Sequence, residues 1–265
     1  MARIVYYRDE WGNQDLGHPE NSRMTAHCLF EQSGTFRDAF RDLGVPAIDY
    51  DIRNDYGKTD VVVDLFQEIT HRIENRECSQ MSLFEESSTP PKIFSTIFDD
   101  IQPEDIVMAF FPCTYFMDYD ALNSRCDNGA MRGYSLQDKM AYTIERSRCR
   151  HRNYTLLSQL VMIACETGFR LVIENPSHGF LHSYWPLRPA LVDHDRRENG
   201  DKFKKPTQYF FVNCEPRHAQ LPEKVEAVTA KRVEDADKRW ERSEIHPQYA
   251  RRFILQHIMG TDVTG

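Results

Sequence analysis

No Cys-x-x-Cys pair occurs in the chain, and its seven cysteines are an odd number. Both facts argue against a disulfide framework and against a four-ligand zinc site, so reduced thiols and no metal are expected. No stretch approaches the ~18 consecutive apolar residues that a membrane span needs, and no membrane partner is expected. Residues 1–14 lack the basic-then-apolar order of a secretory signal, which makes a cytoplasmic protein the expectation. An excess of basic residues is missing too. The net charge is −8, and phosphate binding rests on Lys and Arg, so the sum alone speaks against a nucleic-acid partner. The Gly-x-Gly-x-x-Gly dinucleotide fingerprint and internal repeats are likewise absent.

What is present is an ordinary globular mixture, 40% hydrophobic and 28% charged over 265 residues. A chain of that length buries roughly three quarters of its unfolded surface in one substantial domain, here taken as residues 1–265. His27 to Glu31 is a short apolar run followed by Gln32-Ser33-Gly34-Thr35, then Phe36, Ala39, Phe40 and Leu43 at helical spacing with Gly44 as a stop; this is strand, tight turn, helix. Val45 to Asp49 and Asp60 to Val63 are further strands, ending in Asp49-Tyr50-Asp51 and at Asp64. Helices are expected at Leu65 to Arg76 and Lys92 to Asp100, then a buried strand from Asp105 to Phe110. Leu136 to Thr167 is a helix stopped by Gly168, with Cys149 the point where a break would fall. Arg170 to Ile173 and Tyr209 to Val212 are late strands, and Glu223 to Arg239 a charged surface helix. Alternating strands and helices imply an α/β fold with a mostly parallel, doubly wound sheet. Two polar stretches interrupt it: a flexible loop over residues 77–91, and residues 115–134, a candidate catalytic loop of the kind that closes over a site.

The chemistry gathers at strand ends, where open α/β sheets place their ligands. Phe110-Phe111-Pro112-Cys113-Thr114 puts a cysteine just past a buried strand, and Glu174-Asn175-Pro176 puts a carboxyl in the matching place on another. A cysteine so placed is a nucleophile candidate whose thiol pKa is expected to be pulled down; its alternative is a buried small hydrophobe. Cys126 to Arg132 has the Cys-x5-Arg spacing of thiol phosphatases, but no apolar strand precedes it and Asp127 would repel a phosphate. Asp51 or Asp49 is placed to accept ribose hydroxyls, and Asp64 an adenine amino group; each is equally placed to cap a following helix. Arg146, Arg148, Arg150 and Arg152 form one local basic patch and Lys202, Lys204 and Lys205 another. Either is a nucleic-acid contact or a solvated helix face. The nearby Cys149 and His151 are read as structural.

Taken in order, these motifs resemble the cytosine-C5 DNA methyltransferase family, especially its small phage and prophage members, over about Cys28 to Phe253. The resemblance implies a Rossmann-like, S-adenosylmethionine-dependent methyltransferase fold. Phe30, Ser33, Gly34 and Thr35 match the first cofactor motif, Asp51 the ribose motif and Asp64 the adenine motif; Pro112 adjoins the cofactor. Cys113 and Glu174 match the catalytic pair, with Thr114, Asn175, Lys205 and Thr207 on the substrate side. Arg242 to Pro247 resembles a late motif. The implied reaction has Cys113 attack C6 of a flipped-out cytosine in DNA while Glu174 holds N3 and the exocyclic amine, after which C5 takes the methyl group. A bacterial or phage origin follows, and RNA is the alternative substrate.

Two departures stand out. The family's Gln-x-Arg-x-Arg is replaced by Thr207-Gln208-Tyr209-Phe210-Phe211, leaving Lys204 or Lys205 as substitutes, and only the short segment 213–241 stands where larger relatives carry a target-recognition domain. A homologue that binds nucleic acid without catalysis is therefore a third reading. Finally, Gln80-Met81-Ser82-Leu83-Phe84 resembles the pentapeptide that binds the bacterial sliding clamp; the alternative is an apolar anchor for the loop.

Overall fold

The computed structural model describes residues 24–81, 93–117, 131–179, 181, 185–221 and 244–260. One sheet holds seven strands: β1 (Ala26–Leu29), β2 (Ala47–Asp51), β3 (Val61–Val62), β4 (Ile106–Ala109), β5 (Arg170–Pro176), β6 (Leu191–Asp193) and β7 (Thr207–Val212). Their order is β3-β2-β1-β4-β5-β7-β6. Neighbours from β3 to β5 are parallel, and β7 runs antiparallel to both β5 and β6. This is the doubly wound order 3-2-1-4-5-6 with one reversed strand inserted between the fifth and sixth.

Alternation of side chains along each strand divides the core in two. Cys28, Ile106, Met108, Val172, Tyr209 and Phe211 face α1 (Thr35–Asp42), α4 (Pro247–Phe253) and the π-helical turn Ile254–Met259. Leu29, Val107, Ala109, Leu171, Ile173 and Phe210 face α2 (Leu65–Met81) and α3 (Leu136–Thr167). Strands covered on both faces read as unbroken apolar runs, which is why Ile106 to Ala109 was legible as a strand. The connection from β1 leads through α1 and the one from β4 through α3, on opposite faces. Adjacent strands whose connections part in this way leave a crevice between their carboxyl ends.

α3 is continuous through Cys149, spanning about 48 Å at 1.5 Å per residue. Ser135 accepts the Asp138 N–H at its start, and Gly168, at φ 90°, ends it. Only its second half is buried, through Asn153, Leu156, Leu157, Leu160, Ile163 and Ala164. The arginine-rich stretch has a defined job there. The Arg146 guanidinium lies 4.4 Å over the Tyr115 ring, and Arg150 Nε donates to the Tyr115 carbonyl at 3.1 Å, so two of the four arginines hold the segment that follows Cys113.

Several expected boundaries move. β1 stops at Leu29 because Glu31 turns inward to cap α1. β2 begins two residues late and includes Asp51, and α2 runs on through residues 77–81, so that part of the expected loop is helix. The helix expected over Lys92 to Asp100 shrinks to the 3-10 turn Ile97–Asp99. Side chains take the backbone groups that a helix would have used: Asn75 bonds both the N–H and carbonyl of Phe94, Glu68 accepts the Ile97 N–H, and Asp99 accepts that of Thr96. The Ser82 to Phe84 part of the clamp-like pentapeptide, Cys126 with Asp127, and the Glu223 to Arg239 helix lie outside the described residues. Among the described residues no helix is long and apolar enough to cross a membrane.

Candidate active site

The turn after β1 is strained and tightly packed. Phe30 takes φ 61°, a left-handed conformation that costs a residue with a side chain about 1–2 kcal/mol. It is held there by donating its N–H to the Tyr50 carbonyl at 2.9 Å and by ring contacts with Phe66 and Phe111 at 5.6 and 5.0 Å. Strain of this kind concentrates at ligand sites. Glu31 then enters the core, 6% exposed, and accepts the N–H groups of Phe36 and Arg37 at 2.7 and 3.2 Å. Its carboxylate satisfies donors of the first turn of α1 that have no partner within the helix. Desolvation pushes its pKa up to about 7 against those two hydrogen bonds.

Gly34 follows at φ 71°, and a Cβ there would come within 2.8 Å of Arg37 Cζ. Arg37 cannot yield, because Asp49 holds it at 2.9 Å and Asp38 at 2.8 Å. Ser33 and Thr35 share a hydroxyl contact at 3.0 Å and line a cavity of about 190 Å³. Lys58, Lys202, Ile245 and His246 form other parts of its wall. Three stretches far apart in sequence, residues 33–35, the lysine patch and the late His-Pro motif, thus meet at one cavity.

The acidic strand ends divide by role. Asp49 is fully buried, pairing with Arg37 and accepting the Asp60 N–H at 2.6 Å, and so ties β2 to the start of β3. It is not accessible to a ribose. Asp51 is half-buried, and its carboxylate accepts the Arg53 N–H at 2.8 Å; burial raises its pKa. Asp64 accepts the N–H groups of Phe66 and Gln67 at 3.0 and 3.3 Å, which makes it a cap of α2.

Beyond β4, the Cys113 carbonyl accepts the Phe116 N–H at 2.9 Å, closing a turn anchored by the buried Phe116 ring. Pro112 and Cys113 are half-buried and Thr114 is exposed. Met117 bridges Gly179, where a Cβ would stand 2.6 Å from the Phe116 carbonyl oxygen, so this loop base lies tight against the end of β5. The thiol pKa was expected to be lowered; instead burial raises it, Lys205 pulls it down, and Glu174 raises it again. By sequence and pairing, Cys113 follows β4 and Glu174 lies near the carboxyl end of β5, the parallel neighbour of β4.

Glu174 is 7% exposed and Asn175 fully buried. Glu174 Oε1 and both amide atoms of Asn175 have no hydrogen-bond partner among the described residues, a concentration of unspent polar capacity that native interiors rarely hold outside ligand sites. Of the two candidate lysines, Lys205 is half-buried and its charge lowers the Cys113 pKa, while Lys204 is exposed. Thr207 is fully buried and donates to the Lys205 carbonyl at 2.9 Å, so it shapes that turn.

Two buried charged residues carry little or no sequence signal. Glu31 offered a faint signal, a carboxylate just ahead of a Ser-Gly-Thr helix start. Arg196 offered none: it sits in the polar run Asp195-Arg196-Arg197-Glu198-Asn199, yet it is fully buried while Arg197 lies on the surface against Asp195. No protein-family model and no curated protein matches the chain.

The buried carboxyl of Glu31 holds its proton to about pH 7 when folded, against 4.5 otherwise. The folded state therefore binds the extra proton between those values, and stability falls as pH rises through that window, by about 3 kcal/mol in full. Urea denaturation at a series of pH values should show this decline in the natural chain and lose it in Glu31→Gln; parallel curves would contradict the assignment. For Lys205→Met, alkylation of Cys113 by iodoacetamide at pH 8, followed by peptide mass spectrometry, should slow about twofold or more. An unchanged rate would separate Lys205 from the thiol.

Proposed function

We propose that the chain is a cytosine-C5 methyltransferase that uses S-adenosylmethionine and acts on DNA. The observation that carries this reading is the placement of Cys113 just past β4 and of Glu174 near the carboxyl end of β5, its parallel neighbour. A nucleophile and a carboxyl at neighbouring strand ends are what addition across C5=C6 of a pyrimidine needs.

The cofactor fits the groups that the chain offers. Ser33 and Thr35 border a cavity at the start of α1, and the half-buried Asp51 stands at the end of β2, the position that accepts ribose hydroxyls in doubly wound sheets. When bound there, S-adenosylmethionine would supply an electrophilic methyl group. Asp64 is proposed as an adenine contact only through the carboxylate oxygen not used in capping α2.

Cys113 Sγ would pass its proton to solvent and bond to C6, and Glu174 would donate its proton to N3, placing the displaced electron pair at C5. A proton on Glu174 also removes a negative charge that raises the thiol pKa, so protonation of the carboxyl and ionisation of the thiol favour each other. C5 would take the methyl group as the cofactor's sulfur leaves as a neutral thioether; loss of the C5 proton to solvent, departure of the Cys113 thiolate and return of the N3 proton to Glu174 would restore the ring. Lys205, whose charge lowers the Cys113 pKa, would supply local positive charge for a polyanion on a chain of net −8.

Cys113→Ser should reduce methyl transfer at least about 10³-fold, and Glu174→Gln about 10²–10⁴-fold, with cofactor affinity retained in both. Transfer of tritiated methyl to duplex DNA and to tRNA, beside calorimetric titration of the cofactor, checks this. Turnover surviving in Cys113→Ser would exclude the covalent route, and methylation confined to tRNA would move the substrate to RNA.

A further inference from the structure

Only the second half of α3 belongs to the core. From Asn153 onward its buried face packs on the sheet, and after Gly168 the chain enters β5, so the helix runs back from the carboxyl edge of the strands to their amino edge. Arg150 Nε donates to the Tyr115 carbonyl, and the Tyr154 ring lies 4.8 Å from that of Phe116. The turn that bears Cys113 therefore meets α3 at residues 150–154. The part of the helix from Leu136 to Cys149 stands past the carboxyl edge as an arm about 20 Å long. No residue from 136 to 152 is buried.

This stretch is basic on an acidic chain. Residues 136–152 hold five Lys or Arg against two acidic residues, where the whole chain has a net charge of −8. Its arginines divide by face. Arg146 and Arg150, one turn apart, are turned to Tyr115. Arg148 and Arg152, also one turn apart, are exposed on another face. Arg148 stands 3.9 Å from Glu145 with both side chains largely in solvent, a pairing that contributes little. The Arg152 guanidinium lies 5.8 Å over the Phe66 ring, which packs on Phe30 and Phe111 at 5.6 and 5.7 Å. One exposed guanidinium thus sits beside the strand ends that lead to the site, and the other a turn farther out on the arm. Like charges four residues apart on a helix repel each other, a cost that an anion lying across both would remove.

We propose that the projecting half of α3 is the wall against which the DNA duplex lies, with Arg148 and Arg152 contacting its phosphates. The inference rests on the proposed function for its choice of partner and goes beyond it in naming the surface. A base can enter the crevice only from the carboxyl edge of the sheet, and the arm rises beside that opening. Phosphate contacts set register without reading sequence, so the arm would hold the duplex over Cys113 whatever element selects the target.

The test is binding of the full chain to a fluorescein-labelled mixed-sequence 20-base-pair duplex, followed by anisotropy from 50 to 200 mM salt, with a thermal melt for each variant. Arg148→Gln with Arg152→Gln should weaken binding about tenfold or more at the lowest salt and flatten the slope of log K against log salt by about two, since each lost phosphate contact removes about 0.9. Arg148→Lys with Arg152→Lys should keep the natural slope. Arg197→Gln with Arg251→Gln, which removes the same charge from exposed positions outside α3, should keep it too. A natural slope in the folded Arg148, Arg152 glutamine variant, or an equal loss in the Arg197, Arg251 variant, overturns the arm and leaves the proposed function standing. A chain whose slope flattens as expected but which methylates no nucleic acid overturns the proposed function and leaves the arm standing. Binding to tRNA but not to the duplex overturns the duplex as partner, and binding to neither overturns both.

Discussion

Desolvation at the carboxyl ends of β4 and β5 is the constraint on which the site depends. It raises the pKa of the Cys113 thiol; Lys205 opposes that shift, and the charge on Glu174 adds to it. Neutralising the carboxyl would remove only the lesser of the two raising influences. Under the proposed function a pyrimidine ring would present N3 to Glu174 while offering C6 to sulfur.

The sheet positions these groups with little freedom. β4 pairs with β1 on one side and β5 on the other, so the strand ends carrying Phe30, Cys113 and Glu174 are neighbours by register. Around them the turns are locked by charge. Glu31 caps α1 from inside the core, and Arg37, bound by Asp38 and Asp49, leaves room at position 34 for glycine alone. Phe116, wedged against Phe111 and Tyr154 at 6.3 and 4.8 Å, fixes the turn that bears the thiol. The chain lays charge and strain along one edge of the sheet, and the two apolar layers beneath it hold that edge in shape.

The strands bearing Cys113 and Glu174 were legible because they are buried on both faces and therefore apolar without interruption, and the glycine stops at Gly44 and Gly168 fell where left-handed backbone was needed. The reversed direction of β7 was not legible, since a buried strand carries the same pattern in either direction. Lys92 to Asp100 misled because its helical spacing was real, but Asn75, Glu68 and Asp99 claimed the backbone groups first. Asp49 and Asp51, two residues apart on one strand, looked alike; only the position of Arg37 separates the structural carboxylate from the accessible one. The raised thiol pKa depends first on burial, with Lys205 opposing and Glu174 adding to it from about 90 and 60 positions away, and no local pattern carries that information.

Covalent trapping tests the central claim most directly. The chain would be incubated with S-adenosylmethionine and a mixed-sequence duplex containing 5-fluorocytosine, whose C5 fluorine cannot be abstracted, and then denatured. The site described here predicts a denaturation-resistant protein–DNA adduct at Cys113, found by peptide mass spectrometry. Cofactor binding without an adduct, or an adduct through another cysteine, would contradict the pairing of Cys113 with Glu174 as the catalytic centre.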